Sequence, residues 1–203
     1  MPPKAKFTKE EIVDAAFALV REEGMEALTA RELGNRLGSS ARPIFTVFTN
    51  MDELKDEVIK KAIELDSQYT ARGLQEEIPF KGVGKAYIMF AQEEPQLFRL
   101  LFMSKPKESL TVPSMVESFN NVCNISDAIE GPYGMDKDDA ARLFQHMWIY
   151  THGIATMCVN GLCTYTPEEI SDRLTEVFAA LLAQMKAKKR SELKCGSRST
   201  YGL

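Results

Sequence analysis

Residues 29–54, TARELGNRLGSSARPIFTVFTNMDEL, set two short apolar-periodic segments on either side of a Gly-Ser-Ser joint and scatter arginines among them. In the first, Ala30, Leu33 and Leu37 share one face of a helix that starts at Thr29, and Gly38 permits the sharp turn that Ser39 and Ser40 complete. In the second, Ile44, Val47 and Phe48 form one face, Arg42, Phe45, Thr46 and Thr49 form the other, and the helix ends at Asn50. Two short helices joined by a tight glycine-containing turn, the second with polar and aromatic side chains outward, make a helix-turn-helix, whose second helix enters a major groove. Local charge agrees: residues 29–50 hold Arg31, Arg36 and Arg42 against the single acid Glu32, and Lys4, Lys6 and Lys9 lie upstream. The competing reading is that any small three-helix unit carries such periodicity and a few surface arginines.

Outward from this stretch, helix signals run along nearly the whole chain and strand-like alternation is scarce, which predicts an all-α fold. Thr8 and Glu11, Thr29 and Glu32, and Thr166 and Glu169 each have capping-box spacing, Asn50 and Glu53 make a similar pair, and Pro167 follows Thr166 at a first helical position. A first helix runs from Thr8 to Gly24 with Ile12, Ala16, Leu19 and Val20 on one stripe. A fourth runs from Asn50 to about Tyr69, burying Leu54, Val58, Ala62 and Leu65. Further helices are expected over Phe80 to Glu93, Pro95 to Met103, Val112 to about Glu130, Asp136 to about Asn160 and Thr166 to about Lys188. KPKESLTVP at 105–113 reads as a loop and GPYG at 131–134 as a turn.

Composition bounds the function. The 203 residues are 44% hydrophobic and 27% charged, which is ordinary for a globular chain and excludes collagen-like or disordered classes. No apolar run reaches the roughly 18 residues of a membrane span, and MPPKAKFTKEE has no signal-peptide core, so a cytoplasmic protein without membrane attachment is expected. The net charge of −4 gives no global attraction to nucleic acid, so a DNA-binding case rests on where the charges sit. Cys123, Cys158, Cys163 and Cys195 fit no zinc spacing, and no sequence neighbour of Cys158 and Cys163 is electropositive enough to favour a redox role. His146 and His152 stand six apart and fail the i, i+4 metal pairing. Without a phosphate loop, nucleophile elbow or catalytic carboxylate pair, the chain reads as no enzyme, with neither metal nor cofactor.

EEGMEALTARELGNRLG followed by SSARPIFTVFTNMDEL resembles the N-terminal DNA-binding domain of the tetracycline-repressor (TetR) family of bacterial transcription regulators, over about the first 55 residues. AYIMFAQEEPQLFRLLFM at 86–103 and WIYTHG at 148–153 resemble the ligand-binding and dimerisation region of one subgroup of that family. The resemblance implies a helix-turn-helix domain over 1–50, a helical effector-binding and dimerisation domain over 51–189 with helix 50–69 as linker, and a basic, disordered tail over 190–203. It makes Thr29 and Ser40 phosphate-contacting helix caps, turns Arg42, Phe45 and Thr46 to the groove, and adds Lys6, Arg36 and Lys55 as phosphate contacts. Three positions depart from the pattern. Phe45 stands where a tyrosine is frequent, Met51 where a phosphate-binding lysine is common, and Pro43 forces Arg42 from helical angles, so that the recognition helix starts with Arg42 as cap.

Ile170, Leu174, Val177, Phe178, Leu181, Leu182 and Met185 form an apolar stripe on the last helix, beside Leu143, Phe144, Met147, Thr151, Ile154, Ala155 and Cys158 on the one before. Both stripes can pack within one monomer. The family reading instead pairs the two helices with their copies in a homodimer, through Leu174, Val177, Phe178, Leu181 and Leu182. Tyr87, Phe90, Phe98, Phe102, Met115, Phe119, Met147 and Trp148 are individually core residues; as a set they suit a cavity for a small apolar effector. Two functions stay open at this point. One is a ligand-responsive repressor acting on a double-stranded DNA operator; the other is an all-α small-molecule-binding dimer without specific DNA binding.

Overall fold

The computed structural model describes residues 6–104, 117 and 125–196. Among them there is no strand, and the helices are α1 (Lys9–Glu23), α2 (Ala30–Arg36), α3 (Met51–Gly73), α4 (Pro79–Glu93), α5 (Pro95–Phe98), α6 (Ile125–Tyr133), α7 (Lys137–Val159) and α8 (Pro167–Gly196). No helix of the described residues is long and apolar enough to cross a membrane.

The caps lie where side-chain chemistry demands them. Thr8 and Glu11 close a reciprocal box on α1, and Thr166 with Glu169 does the same on α8, with Pro167 at its first position. Thr29 caps α2 by accepting from the Glu32 N–H at 3.1 Å. At α3 the Asn50 side chain accepts from Glu53 N–H, while the Glu53 carboxylate reaches one residue further back, to the Thr49 N–H.

The residues divide into two compact units. The first contains residues 6–69 and 89–104. Its core joins Ile12, Leu19 and Val20 of α1 to Leu33, Ile44, Phe48, Leu54 and Val58, all essentially inaccessible to solvent. An aromatic cluster continues it: Phe90 lies edge-on to Tyr69 at 5.2 Å, and Phe98 and Phe102 pack 5.0 Å apart. This cluster, with α1 packed on α5, is why residues 89–104 join the N-terminal residues rather than following a linear division at residue 50.

The second unit contains residues 70–88, 117 and 125–196 of the described chain. Gly73 and Gly82 bring the end of α3 against the start of α4 so closely that a methyl on either would overlap the other's carbonyl. In the same unit α6 packs on α7 and α7 on α8.

Three expectations are corrected. The third helix is a single 3₁₀ turn, Ile44–Thr46. Pro43 supplies no N–H, and Ile44, Thr46 and Val47 are β-branched, so the segment lacks the propensity to extend. GPYG is not a free turn: Gly131, Pro132 and Tyr133 complete α6, and only Gly134, at φ 62°, leaves it. The tail assigned to 190–203 is helical through Gly196, because Arg, Glu, Leu and Lys sustain a helix. Lys189 Nζ also anchors the end of α8 on Asp136 Oδ2 at 2.5 Å and Asp139 Oδ2 at 3.4 Å. The 105–113 loop and the first part of the helix expected from Val112 lie outside the described residues.

Candidate DNA interface and effector cavity

Two glycines build the joint of the first unit. Gly38, at φ 61°, ends α2 in the left-handed region, where its N–H donates to the Asn35 carbonyl at 3.0 Å and the Ser39 N–H to the Gly34 carbonyl at 2.9 Å. The chain then doubles back over Gly34, where a Cβ would come within 3.0 Å of Ala41 N and Ser40 C. Gly34 therefore leaves room for backbone that a side chain would crowd, a role hidden in the sequence because the close neighbour is distant from it along the chain.

The 3₁₀ turn is pinned from inside and presents side chains outside. Ile44 and Phe48 are buried, while Arg42, Phe45 and Thr46 are exposed, Phe45 to 48%. Thr46 Oγ1 donates to the Pro43 carbonyl at 2.6 Å, closing the turn with its own side chain. The three residues expected to face the groove are thus all open to solvent. Ser40 caps no helix, since the cap position of the turn is Pro43, which has no side-chain acceptor. Thr29 keeps its cap role, with its hydroxyl engaged by Glu32 N–H.

The cations divide by partner. Arg36 grips the Glu22 carboxylate with both terminal nitrogens, at 2.6 and 2.8 Å. That bond raises the guanidinium pKa and lowers that of Glu22, so the charge of Arg36 is compensated within the chain. Lys55 lies 3.2 Å from Asp52. Lys6 Nζ donates to Ser39 Oγ at 3.2 Å, laying the N-terminal arm across the joint. Arg31 and Arg42 are exposed and form no ion pair with a described residue.

The second unit forms a partly open cavity of about 110 Å³. Three helices turn a helical stripe toward it: Phe80, Val83, Gly84 and Tyr87 on α4, Phe144, Met147, Trp148 and Thr151 on α7, and Leu174, Thr175 and Phe178 on α8. Tyr133 of α6 and Ile78 and Lys81 complete it, and Lys81 is the single charged group among these lining residues. The aromatic wall is continuous, with Phe80 5.6 Å from Phe178 and 6.2 Å from Phe144, and Tyr133 4.8 Å from Phe178. Behind it the Trp148 ring stacks on His152 at 5.1 Å, and the Tyr87 hydroxyl shares a hydrogen bond with His152 Nδ1 at 2.9 Å. Burial lowers the His152 pKa and favours the neutral imidazole, so this wall resists becoming charged. A small apolar molecule fits these surroundings: an engineered apolar cavity of about 150 Å³ holds one benzene ring.

Of the residues expected from sequence to contact an effector, Tyr87, Met147 and Trp148 are in the wall of this cavity. Phe90, Phe98 and Phe102 are not: they form the aromatic core of the first unit, with Phe90 and Phe98 fully buried. Met115 and Phe119 lie outside the described residues. Phe80, Val83, Tyr133, Leu174 and Phe178 complete the wall. Leu174 and Phe178, assigned from sequence to a dimer interface, instead have partners inside one chain: Leu174 is 2% exposed beside Gly84, and Phe178 contacts Phe80 and Tyr133. Val177, Leu181 and Leu182 are half-buried.

Two family models match the chain. Residues 12–58 match the one described as "Bacterial regulatory proteins, tetR family", and residues 80–185 match "Tetracyclin repressor-like, C-terminal domain". No curated protein matches the sequence.

Proposed function

The chain belongs to the tetracycline-repressor family of bacterial regulatory proteins and is a DNA-binding transcriptional regulator; we propose that it is a repressor, released from its operator when a small apolar molecule enters the cavity of the second unit. The observation that carries this reading is the convergence of three apolar helix stripes on one cavity. A ligand with unequal affinity for the DNA-competent and DNA-incompetent forms shifts their populations, and the coupling must be reciprocal.

The regulator acts as a homodimer, because a two-fold operator is read by two heads about 34–36 Å apart. Support for the pairing surface comes from α7, whose side away from the cavity carries Ile149 at 52% exposure, Gly153, and Met157 at 42%. Their i, i+4, i+8 spacing makes an apolar stripe with glycine at its centre, suited to close approach by a second helix.

Trp148 is the single tryptophan and lines the cavity, so its emission reports occupancy directly. The test titrates one-ring aromatic compounds against this emission and, in parallel, measures mobility shift of DNA flanking the protein's own gene. A compound that quenches Trp148 is expected to release the DNA. Compounds that saturate the cavity while leaving DNA affinity unchanged would refute ligand-controlled repression.

A further inference from the structure

We propose that Cys158 and Cys163 form a reversible dithiol switch in the turn between α7 and α8, oxidised to an intramolecular disulfide by a hydroperoxide. Cys158 is in the last turn of α7 and Cys163 follows the reversal. The reversal is enforced by Gly161 at φ 69°, with the Gly161 N–H donating to the Cys158 carbonyl at 2.9 Å and the Leu162 N–H to the Met157 carbonyl at 3.0 Å. This geometry carries residue 163 back over residue 158. The two sulfurs lie 4.0 Å apart, in contact but unbonded. Closing to the roughly 2.05 Å of a disulfide requires about 2 Å of combined movement, which side-chain rotation in a surface turn supplies. Both residues are only half-buried, so a small oxidant reaches them.

The surroundings assign different parts to the two thiols. Burial and the adjoining sulfur push the Cys158 thiol up to about 11, which keeps it protonated. Cys163 hydrogen-bonds with the Tyr165 hydroxyl, and the Arg173 guanidinium lies 4.7 Å from the centre of the Tyr165 ring. In the first step the Cys163 thiolate attacks a peroxide oxygen. The O–O bond breaks, the departing alkoxide or hydroxide takes a proton, and Cys163 becomes a sulfenic acid. In the second, the Cys158 sulfur attacks the sulfenic sulfur as its proton leaves. The S–S bond forms, the S–O bond breaks, and hydroxide departs as water. Two thiols and one hydroperoxide give one disulfide, one alcohol or water, and one further water. Reduction by a small dithiol reverses the bond. The cross-link braces the connection between the two helices that supply Trp148 and Phe178 to the cavity.

The test uses the full chain, fully reduced and then exposed to hydrogen peroxide, alkylated and cut with trypsin. Residues 143–173 contain no internal lysine or arginine, so one peptide carries both thiols. Oxidation is expected to remove both alkylation sites together, lower the peptide mass by about 2 Da, and be reversed by dithiothreitol. In Cys158→Ser the switch cannot close, and Cys163 is expected to proceed to sulfinic acid instead. The proposal fails if both thiols stay alkylatable after Cys123 or Cys195 is consumed. It also fails if wild-type Cys163 reaches sulfinic acid while Cys158 keeps its label.

Discussion

Arg21, in the last turn of α1, holds the carboxylate of Glu94 at the break between α4 and α5: Nε donates to Oε2 at 2.6 Å and Nη2 donates to Oε1. Glu94 is 3% exposed, and a carboxylate so buried needs a cation. Arg21 supplies it from the surface, and the hydrogen bond raises the guanidinium pKa. The pair therefore fastens the first helix of the DNA-binding domain to the segment that opens with Pro95.

Removing the cation should cost more than removing the charge it balances. Arg21→Ala leaves a buried carboxylate without its partner; with Arg21 half-exposed, a loss of roughly 1–3 kcal/mol is expected, less than for a fully buried pair. Adding Glu94→Gln to that variant should recover part of the loss. Urea unfolding of the single and double variants measures both, and equal stability for wild type and Arg21→Ala would show the pair to be inert.

Salt dependence separates the arginines of the DNA-binding domain. A dimer neutralising about eight phosphates should show a log–log salt slope near −7. Arg42→Ala should flatten it by about two for the dimer, roughly one per head, whereas Arg36→Ala should change it less because Glu22 already compensates that charge. Anisotropy titrations at several salt concentrations decide this, and equal changes in the two slopes would count against the partition.

Asp66, half-buried on α3, is pushed up to about 6 from 3.8 by burial. The folded carboxyl therefore holds its proton between about pH 4 and 6 while the unfolded one has released it, so stability falls as pH rises through that window. The penalty is complete above pH 6. Asp66→Asn should raise stability at pH 7.5 by roughly 1–3 kcal/mol, with the gain shrinking toward zero near pH 4. Melting curves across pH test it, and a pH-independent gain would assign the effect to something other than this titration.

Gly82→Ala should destabilise the second unit by about 1–3 kcal/mol, because its methyl would overlap the Gly73 carbonyl and force backbone to move. Gly131→Ala in α6, which meets nothing within 4 Å, is the control and should be neutral or stabilising. Thermal unfolding that ranks the two variants alike would remove the close helix approach as an explanation.

The legible parts of the sequence were those whose cause is local. Thr8 with Glu11 and Thr166 with Glu169 mark helix starts because the partners lie within one turn, and both boxes form. The recognition segment was harder: its apolar spacing fits a helix, and it correctly sets Ile44 and Phe48 inside, but spacing does not report that Pro43 and its β-branched neighbours leave only one turn. Aromatic residues posed another difficulty. Phe90 and Phe80 lie on the same helix, α4, with similar sequence surroundings, yet one is core to the first unit and the other lines the cavity of the second. Only the partners decide between them, and those come from distant segments. Gly34 and Gly82 were silent for the same reason, since the atoms that exclude a side chain there belong to other turns of the chain.

The aromatic packing of Tyr69, Phe90, Phe98 and Phe102 also bears on how such a regulator can be recombined. Transplanting residues 1–69 onto another effector domain would sever Tyr69 and α1 from the segment that completes their core. A graft that keeps this core intact has to bring residues 89–104 along, and so needs junctions on both sides of that second stretch if residues 70–88 are to stay behind. A single crossover moves this reading head intact only by carrying residues 70–88, and with them part of the cavity wall, out of the second unit. Changes in operator preference should therefore be easier to acquire by substitutions on the Arg42–Thr46 turn than by exchanging domains.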